Sequence, residues 1–177
     1  MRAVLLVLVV AVIAIADTGL VAQGQAGPEA RLKERHIVLP ELPKPVGNYV
    51  EAVRVGNLLY LSGHGPDDSW RGKGQVGREV TVEQGRAAAR SAGLRMLSTI
   101  RGTLGSLDKV ERVVKVFGMV NSAPGFADQP KVIDGFSDLM TEVFGDVVGR
   151  GTRSAVGMSA LPFGIPVEVE MILAVRE

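Results

Sequence analysis

Two segments near the C-terminus have side chains that alternate with a period of two residues. In residues 167–175 every second position is Val, Met or Leu, and residues 152–158 alternate with the same period. This period predicts two half-buried β-strands, and the intervening Leu-Pro-Phe-Gly-Ile-Pro is typical of a turn. If the two strands pair as a hairpin, their Val and Met side chains share a core-facing side. The opposite face then carries Arg153, Glu168 and Glu170.

The upstream sequence predicts the rest of a two-layer domain. Residues 49–54 and 58–62 are typical of strands joined by a Gly56-Asn57 turn, and residues 110–121 of a central strand that is buried on both faces. A capping box at residues 81–84 begins a helix whose arginines are expected on a solvated face, and a second helix is predicted over residues 127–145. Together these elements predict an α+β fold with one mixed sheet and two helices on one face. The uncovered sheet face is partly apolar, which predicts oligomerisation.

The first 45 residues differ in composition from the rest. Met1-Arg2 precedes an unbroken apolar run from Ala3 to Ala16, which is short for a membrane span of about 20 residues and typical of a secretory signal. We predict a signal peptide over residues 1–26 and a periplasmic or secreted protein without stable membrane association after cleavage. An uncleaved anchor or a misassigned start codon would explain the same run. Residues 27–45 contain four prolines and are predicted to form an extended arm.

Composition excludes several kinds of site. The 177 residues carry a formal net charge of +1 and no cysteine, which excludes disulfides, thiolate metal sites and cysteine nucleophiles. The two histidines lack the spacing of metal ligands, so no metal is predicted. Without a basic stripe there is no electrostatic argument for nucleic acid.

The candidate chemistry lies on the C-terminal strands and in one glycine-rich bend. The Arg153 guanidinium can bind a carboxylate through two parallel hydrogen bonds, and a nearby glutamate can hold it or move protons. An ion pair between strands, worth about 0–1 kcal/mol if exposed, explains the same residues. The bend at Ser62-Gly63-His64 lets backbone amides approach a ligand closely, or is simply a turn.

These segments resemble a known family. The pattern R-S-A-V-x-x-x-x-L-P-x-G-x-x-V-E-V-E and the upstream block G-N-Y-V-E-A-V-R-V-G-N-L-L-Y-L-S-G-H-G-P are similar to those of the RidA (YjgF) family of reactive-imine deaminases. The resemblance implies a RidA-like domain over residues 46–177 with a chorismate-mutase-like fold. It also implies a homotrimer with a central β-barrel, a pocket at each subunit boundary and no cofactor.

The same resemblance implies residue roles. Arg153 would hold the carboxylate of an imino acid, and Glu168 would position or activate the water that converts it to a keto acid and ammonia. Tyr49, Ser62 and Gly63 would line the pocket from a neighbouring subunit. The chain departs from the family at Ala155, where many members have cysteine. It also has His64 where glutamine is frequent and Asp138 roughly where an asparagine lies, and the roles of these two residues stay open.

A second function fits the same pocket. An exported, non-catalytic protein that binds a small carboxylate would also need Arg153, but it would not depend on Glu168. A ribonuclease activity, reported for some relatives of the family, fits poorly with the absence of a basic stripe.

Overall fold

A computed structural model describes residues 26–42 and 44–176 as one mixed sheet with three helices. The strands are β1 (Ala52–Val55), β2 (Leu58–His64), β3 (Val110–Asn121), β4 (Thr152–Met158) and β5 (Val167–Val175), and the helices are α1 (Pro28–Glu34), α2 (Val82–Leu104) and α3 (Gln129–Gly149). The sheet order is β1-β2-β5-β3-β4. All neighbours are antiparallel except β3 and β4, which are parallel and joined by α3. The predicted α+β fold with a mixed sheet is confirmed.

The predicted signal peptide lies outside the described residues apart from Ala26, so it stays a prediction. None of the helices in the described ranges has the length and apolar character needed to cross a bilayer.

Helices α2 and α3 pack side by side on one face of the sheet. The capping box at the start of α2 forms as predicted, because the Gln84 amide donates to Thr81 Oγ1 and the Thr81 amide donates to Gln84 Oε1. The two helices approach so closely that a Cβ on Gly135 would lie 2.0 Å from the Arg86 carbonyl oxygen. Between helices and sheet lies a core of fully buried side chains that includes Met96, Ile100, Phe136, Leu139 and Leu173.

The predicted hairpin of the last two strands is wrong. Strand β3 lies between them, since Val116 pairs with Arg153 on one side and with Met171 on the other. Residues that pair directly point to the same face. Arg153 therefore points to the helix-covered face, together with Ala155 and Gly157, whereas Glu168 and Glu170 point to the open face. A period of two identifies the two faces of each strand but not the strands that lie beside it. Here β4 follows β3 through α3 as a parallel partner, and β3 rather than β4 lies beside β5.

The prediction of an extended arm is wrong for residues 28–34, which form α1. Pro28 stands in the first turn, where a missing N–H breaks no helical hydrogen bond. The buried Leu32 packs on the core, and the Glu29 carboxylate accepts hydrogen bonds from Arg101 Nε (3.1 Å), Arg101 Nη2 (2.6 Å) and the Leu107 amide (2.9 Å). These tertiary contacts outweigh the local proline signal.

The contact between Glu29 and Arg101 gives a prediction for stability. Burial alone would raise the pKa of Glu29, but the hydrogen bonds from Arg101 and Leu107 outweigh it and lower the pKa. Glu29→Gln is expected to reduce the free energy of unfolding by about 1 kcal/mol at neutral pH, because the pair is partly exposed. A lowered folded-state pKa means that this contribution is present above the usual pKa of 4.5 and is lost as the pH falls through the folded value.

Urea unfolding at pH 7 and at pH 3 measures this effect. The control is Glu34→Gln, since Glu34 is exposed on the same helix. Equal losses of stability in both variants, or a loss from Glu29→Gln that does not shrink in acid, would contradict the assignment.

Candidate active site

A cavity of about 310 Å³ lies where the ends of β1 and β2 meet the loop of residues 67–77 and the turn of residues 161–165. Three of the predicted site residues line it, namely Tyr49, Gly63 and Glu168. Ser62 does not line the cavity, because its hydroxyl donates to the Val50 carbonyl at 2.7 Å. The structure thus brings Tyr49 and Gly63 together with Glu168 within one chain, whereas the resemblance implied that Tyr49 and Gly63 belong to a neighbouring subunit.

The carboxyl group of Glu168 packs directly against Gly63. A Cβ built on Gly63 would lie 2.0 Å from Glu168 Oε1, so a side chain at this position would force the Glu168 side chain to move. The contact occurs at an irregularity in β2. Leu61 pairs with Met171 and His64 pairs with Val169, so three residue steps along β2 match only two along β5. The extra residue in β2 has the character of a β-bulge, a feature that is frequent beside active sites. Gly63 therefore allows the close approach of the carboxyl group.

The surroundings of Glu168 favour a carboxyl group that can exchange protons. Burial raises the pKa of Glu168, and the like charge of Glu170 raises it further. A carboxylate with a raised pKa is a stronger base, and its neutral form is a better-populated acid near neutral pH. Glu168 can therefore act in proton transfer to or from a molecule in the cavity.

Arg153 lies in a different place. It lines a second cavity of about 310 Å³ with residues of α3 and the α3–β4 connection, among them Ser137, Asp138 and Arg150. Its Nη1 donates to Asp134 Oδ1 at 2.7 Å and to Ser137 Oγ at 3.0 Å. Nε and Nη2 make no hydrogen bond within the described part of the chain, so one edge of the guanidinium can still bind a carboxylate through two hydrogen bonds.

One chain therefore does not bring Arg153 and Glu168 together, contrary to the expectation of a shared face. They lie on opposite faces of the sheet, with β3 between their strands. The carboxylate of Asp138 accepts from Arg86 Nη2 at the rim of the Arg153 cavity.

Several residues of the Glu168 cavity carried no clear signal in the sequence. Glu51, His64 and Trp70 line it together with Arg95, which the periodicity of α2 assigned to a solvated face. The Arg95 side chain is only 20% exposed and its Nη1 donates to the Pro66 carbonyl at 3.0 Å. These residues come from separate elements, so only the fold reveals that they share one cavity.

Comparisons with known proteins match this architecture. The family model described as "YjgF/chorismate_mutase-like, putative endoribonuclease" matches residues 29–170. Protein TCP17 of Trypanosoma cruzi is 44% identical over 155 residues, which cover 86% of this chain and 96% of that protein. The 2-iminobutanoate/2-iminopropanoate deaminase of Dermatophagoides farinae is 31% identical over 145 residues, which cover 81% of this chain and 98% of the relative.

The fold is also similar to that of a solved structure. The crystal structure of a protein of unknown function from Agrobacterium tumefaciens has a TM-score of 0.75 and 40% identity, covering 84% of this chain and 91% of the other. Family match, sequence identity and fold agree, and the protein belongs to the RidA (YjgF) family.

Proposed function

We propose that this protein is an imine deaminase, which hydrolyses a reactive 2-imino acid to the 2-keto acid and ammonia. The observation that carries the proposal is the Glu168 carboxyl group, which packs against Gly63 on the wall of a cavity and whose pKa is raised by burial. Attack of water on a C=N carbon needs a base that takes a proton as the new C–O bond forms. Glu168 supplies that base. A relative that is 31% identical carries the name of a deaminase of this kind.

The proposed active form is a homotrimer in which Arg153 of one subunit faces the Glu168 cavity of the next. Each chain carries the two halves of the site in different places, and the free edge of Arg153 suits a substrate carboxylate. The open face of the sheet also exposes apolar side chains, with Val53 49%, Val55 62% and Tyr60 42% exposed. Such a face favours a partner. Head-to-tail contacts of this kind form a closed ring when the rotation between neighbours closes, as in the proposed trimer.

The charges of the cavity favour a small substrate over a nucleic acid. Among its lining residues are four carboxylates and three cations, namely Glu51, Asp67, Asp68, Glu168, Lys44, Lys73 and Arg95. A phosphodiester backbone would meet repulsion from these carboxylates, whereas an imino acid presents both a carboxylate and a basic nitrogen. A protein that only binds carboxylates would share Arg153 but would be indifferent to loss of the Glu168 charge.

The experiment is ammonia release from an imino acid generated freshly by an amino acid oxidase. Gly63→Ala is expected to reduce turnover at least about 100-fold, because the new Cβ must displace the Glu168 carboxyl group. The control is Gly102→Ala in α2, where a Cβ would meet only the flexible end of Leu42, at 2.9 Å. Wild-type protein that releases no ammonia above the spontaneous rate would sink the proposal. Full activity in Gly63→Ala would remove the observation that carries it.

A further inference from the structure

We propose that Glu51 is a second catalytic carboxyl group of this cavity, the proton donor to the substrate nitrogen, and that His64 is its positioning residue. This inference rests on the proposed imine hydrolysis. The role of His64 is not implied by the family resemblance, and Glu51 carried no signal in the sequence.

The hydrogen bonds of His64 fix its tautomer. Its side chain is 1% exposed, and Nδ1 lies 2.7 Å from the Ser62 carbonyl oxygen. A carbonyl oxygen only accepts, so Nδ1 carries the hydrogen and donates it. The neutral ring then has its lone pair on Nε2, which accepts from the Thr99 hydroxyl at 2.8 Å. Both ring nitrogens are satisfied by buried partners, and the imidazole is held rigidly.

Glu51 contacts this ring from the cavity side. Its Oε2 lies 3.6 Å from His64 Nε2, its side chain is 15% exposed, and it lines the same cavity as Glu168. Within residues 26–42 and 44–176 its carboxyl group makes no hydrogen bond. The carboxyl group is therefore placed to contact a ligand in the cavity, where it can transfer a proton.

The electrostatics agree with a proton donor. Burial raises the pKa of Glu51, and the nearby Arg95 guanidinium lowers it in part. Burial lowers the pKa of His64, which favours the neutral ring, so His64 itself gives Glu51 no counter-charge. The charged or titratable groups that line the cavity with Glu51 are Lys44 and Tyr49 before β1, His64 on β2, Asp67, Asp68 and Lys73 in the loop after β2, Arg95 on α2 and Glu168 on β5.

With two carboxyl groups the reaction balances. As the water oxygen bonds to the imine carbon, Glu168 takes a water proton and the C=N electron pair moves to nitrogen, which takes the proton of Glu51. The product is a carbinolamine. After solvent in the cavity returns the proton from Glu168 to Glu51, Glu51 protonates the amine as the C–N bond breaks. Glu168 takes the hydroxyl proton, leaving the keto acid and ammonia.

The test compares kcat and the pH profile of kcat/KM for the wild type, Glu51→Gln, Glu51→Asp and His64→Gln. Glu51→Gln is expected to lower kcat about 100-fold and to remove the alkaline limb, because an amide has no proton to give. Glu51→Asp keeps a carboxyl group and should retain that limb with partial activity. His64→Gln should keep most of kcat but shift the limb. Glu34→Gln is the control, since Glu34 is exposed on α1 and lines neither cavity.

The outcomes separate this inference from the proposed function. Loss of activity in Glu168→Gln together with wild-type kcat and an unchanged profile in Glu51→Gln would overturn only the role of Glu51. A wild type without turnover would overturn both. Thermal unfolding of each variant identifies losses of activity that come from misfolding. If Glu51→Gln is misfolded, Glu51→Asp is the deciding variant. An alkaline limb retained with partial activity supports the role of Glu51, and a lost limb contradicts it.

Discussion

Glu168→Gln is expected to lower kcat for imine hydrolysis about 100- to 1,000-fold, because the amide cannot take a proton from water. The shape of the side chain is preserved, so its packing against Gly63 and the KM should change little. The matched control is Glu170→Gln, which removes the other carboxylate of the open face, an exposed one. The measurement is steady-state ammonia release. Equal losses in the two variants, or no loss in Glu168→Gln, would contradict the assignment of the base.

The pH dependence of the control sharpens this test. Burial first, and the charge of Glu170 second, raise the pKa of Glu168, and kcat/KM should rise with pH as Glu168 loses its proton. Removing the neighbouring charge lowers that pKa, so Glu170→Gln should move the acidic limb of the profile toward lower pH. A limb that stays in place would mean that another group controls it.

Arg153→Lys is expected to raise KM about 10- to 100-fold with a smaller change in kcat. A lysine ammonium cannot reproduce the planar pair of donors on the Nε–Nη2 edge, and hydrogen bonds to charged groups contribute about 1.5–3 kcal/mol. Arg150→Lys is the control, because Arg150 lines the same cavity but is exposed and paired with Asp146 at 2.8 Å. An unchanged KM in Arg153→Lys would exclude Arg153 from substrate binding.

Much of the fold follows from the sequence because it rests on local periodicity. Residues 110–121 form β3 with the predicted bounds, and the capping box places the start of α2. The helix α1 was missed because the four prolines of residues 27–45 favour an extended chain, whereas distant partners of Glu29 stabilise the helix. Strand neighbours were missed for a related reason, since pairing is a property of the whole sheet.

The candidate site was harder to predict than the fold, because its residues are distant in the sequence. Gly63 and Glu168 are more than 100 residues apart in the sequence, and only the resemblance linked them before the structure gave their contact. Glu51, His64 and Arg95 each have an ordinary explanation in their own segments, as a strand end, a turn and a solvated helix face. Their shared cavity depends on the bulge in β2 and on the packing of α2, neither of which a pattern of residues reveals.

Mixing two inactive variants tests most directly whether the active site is shared between subunits. Arg153→Ala and Glu168→Gln are co-expressed with different tags, and the mixed assemblies are purified and assayed. If Arg153 of one subunit acts with Glu168 of the next, each purified mixed trimer should regain about one third of the wild-type activity, because one of its three boundaries joins an intact Arg153 to an intact Glu168. Activity no greater than that of the separate variants would contradict a shared site.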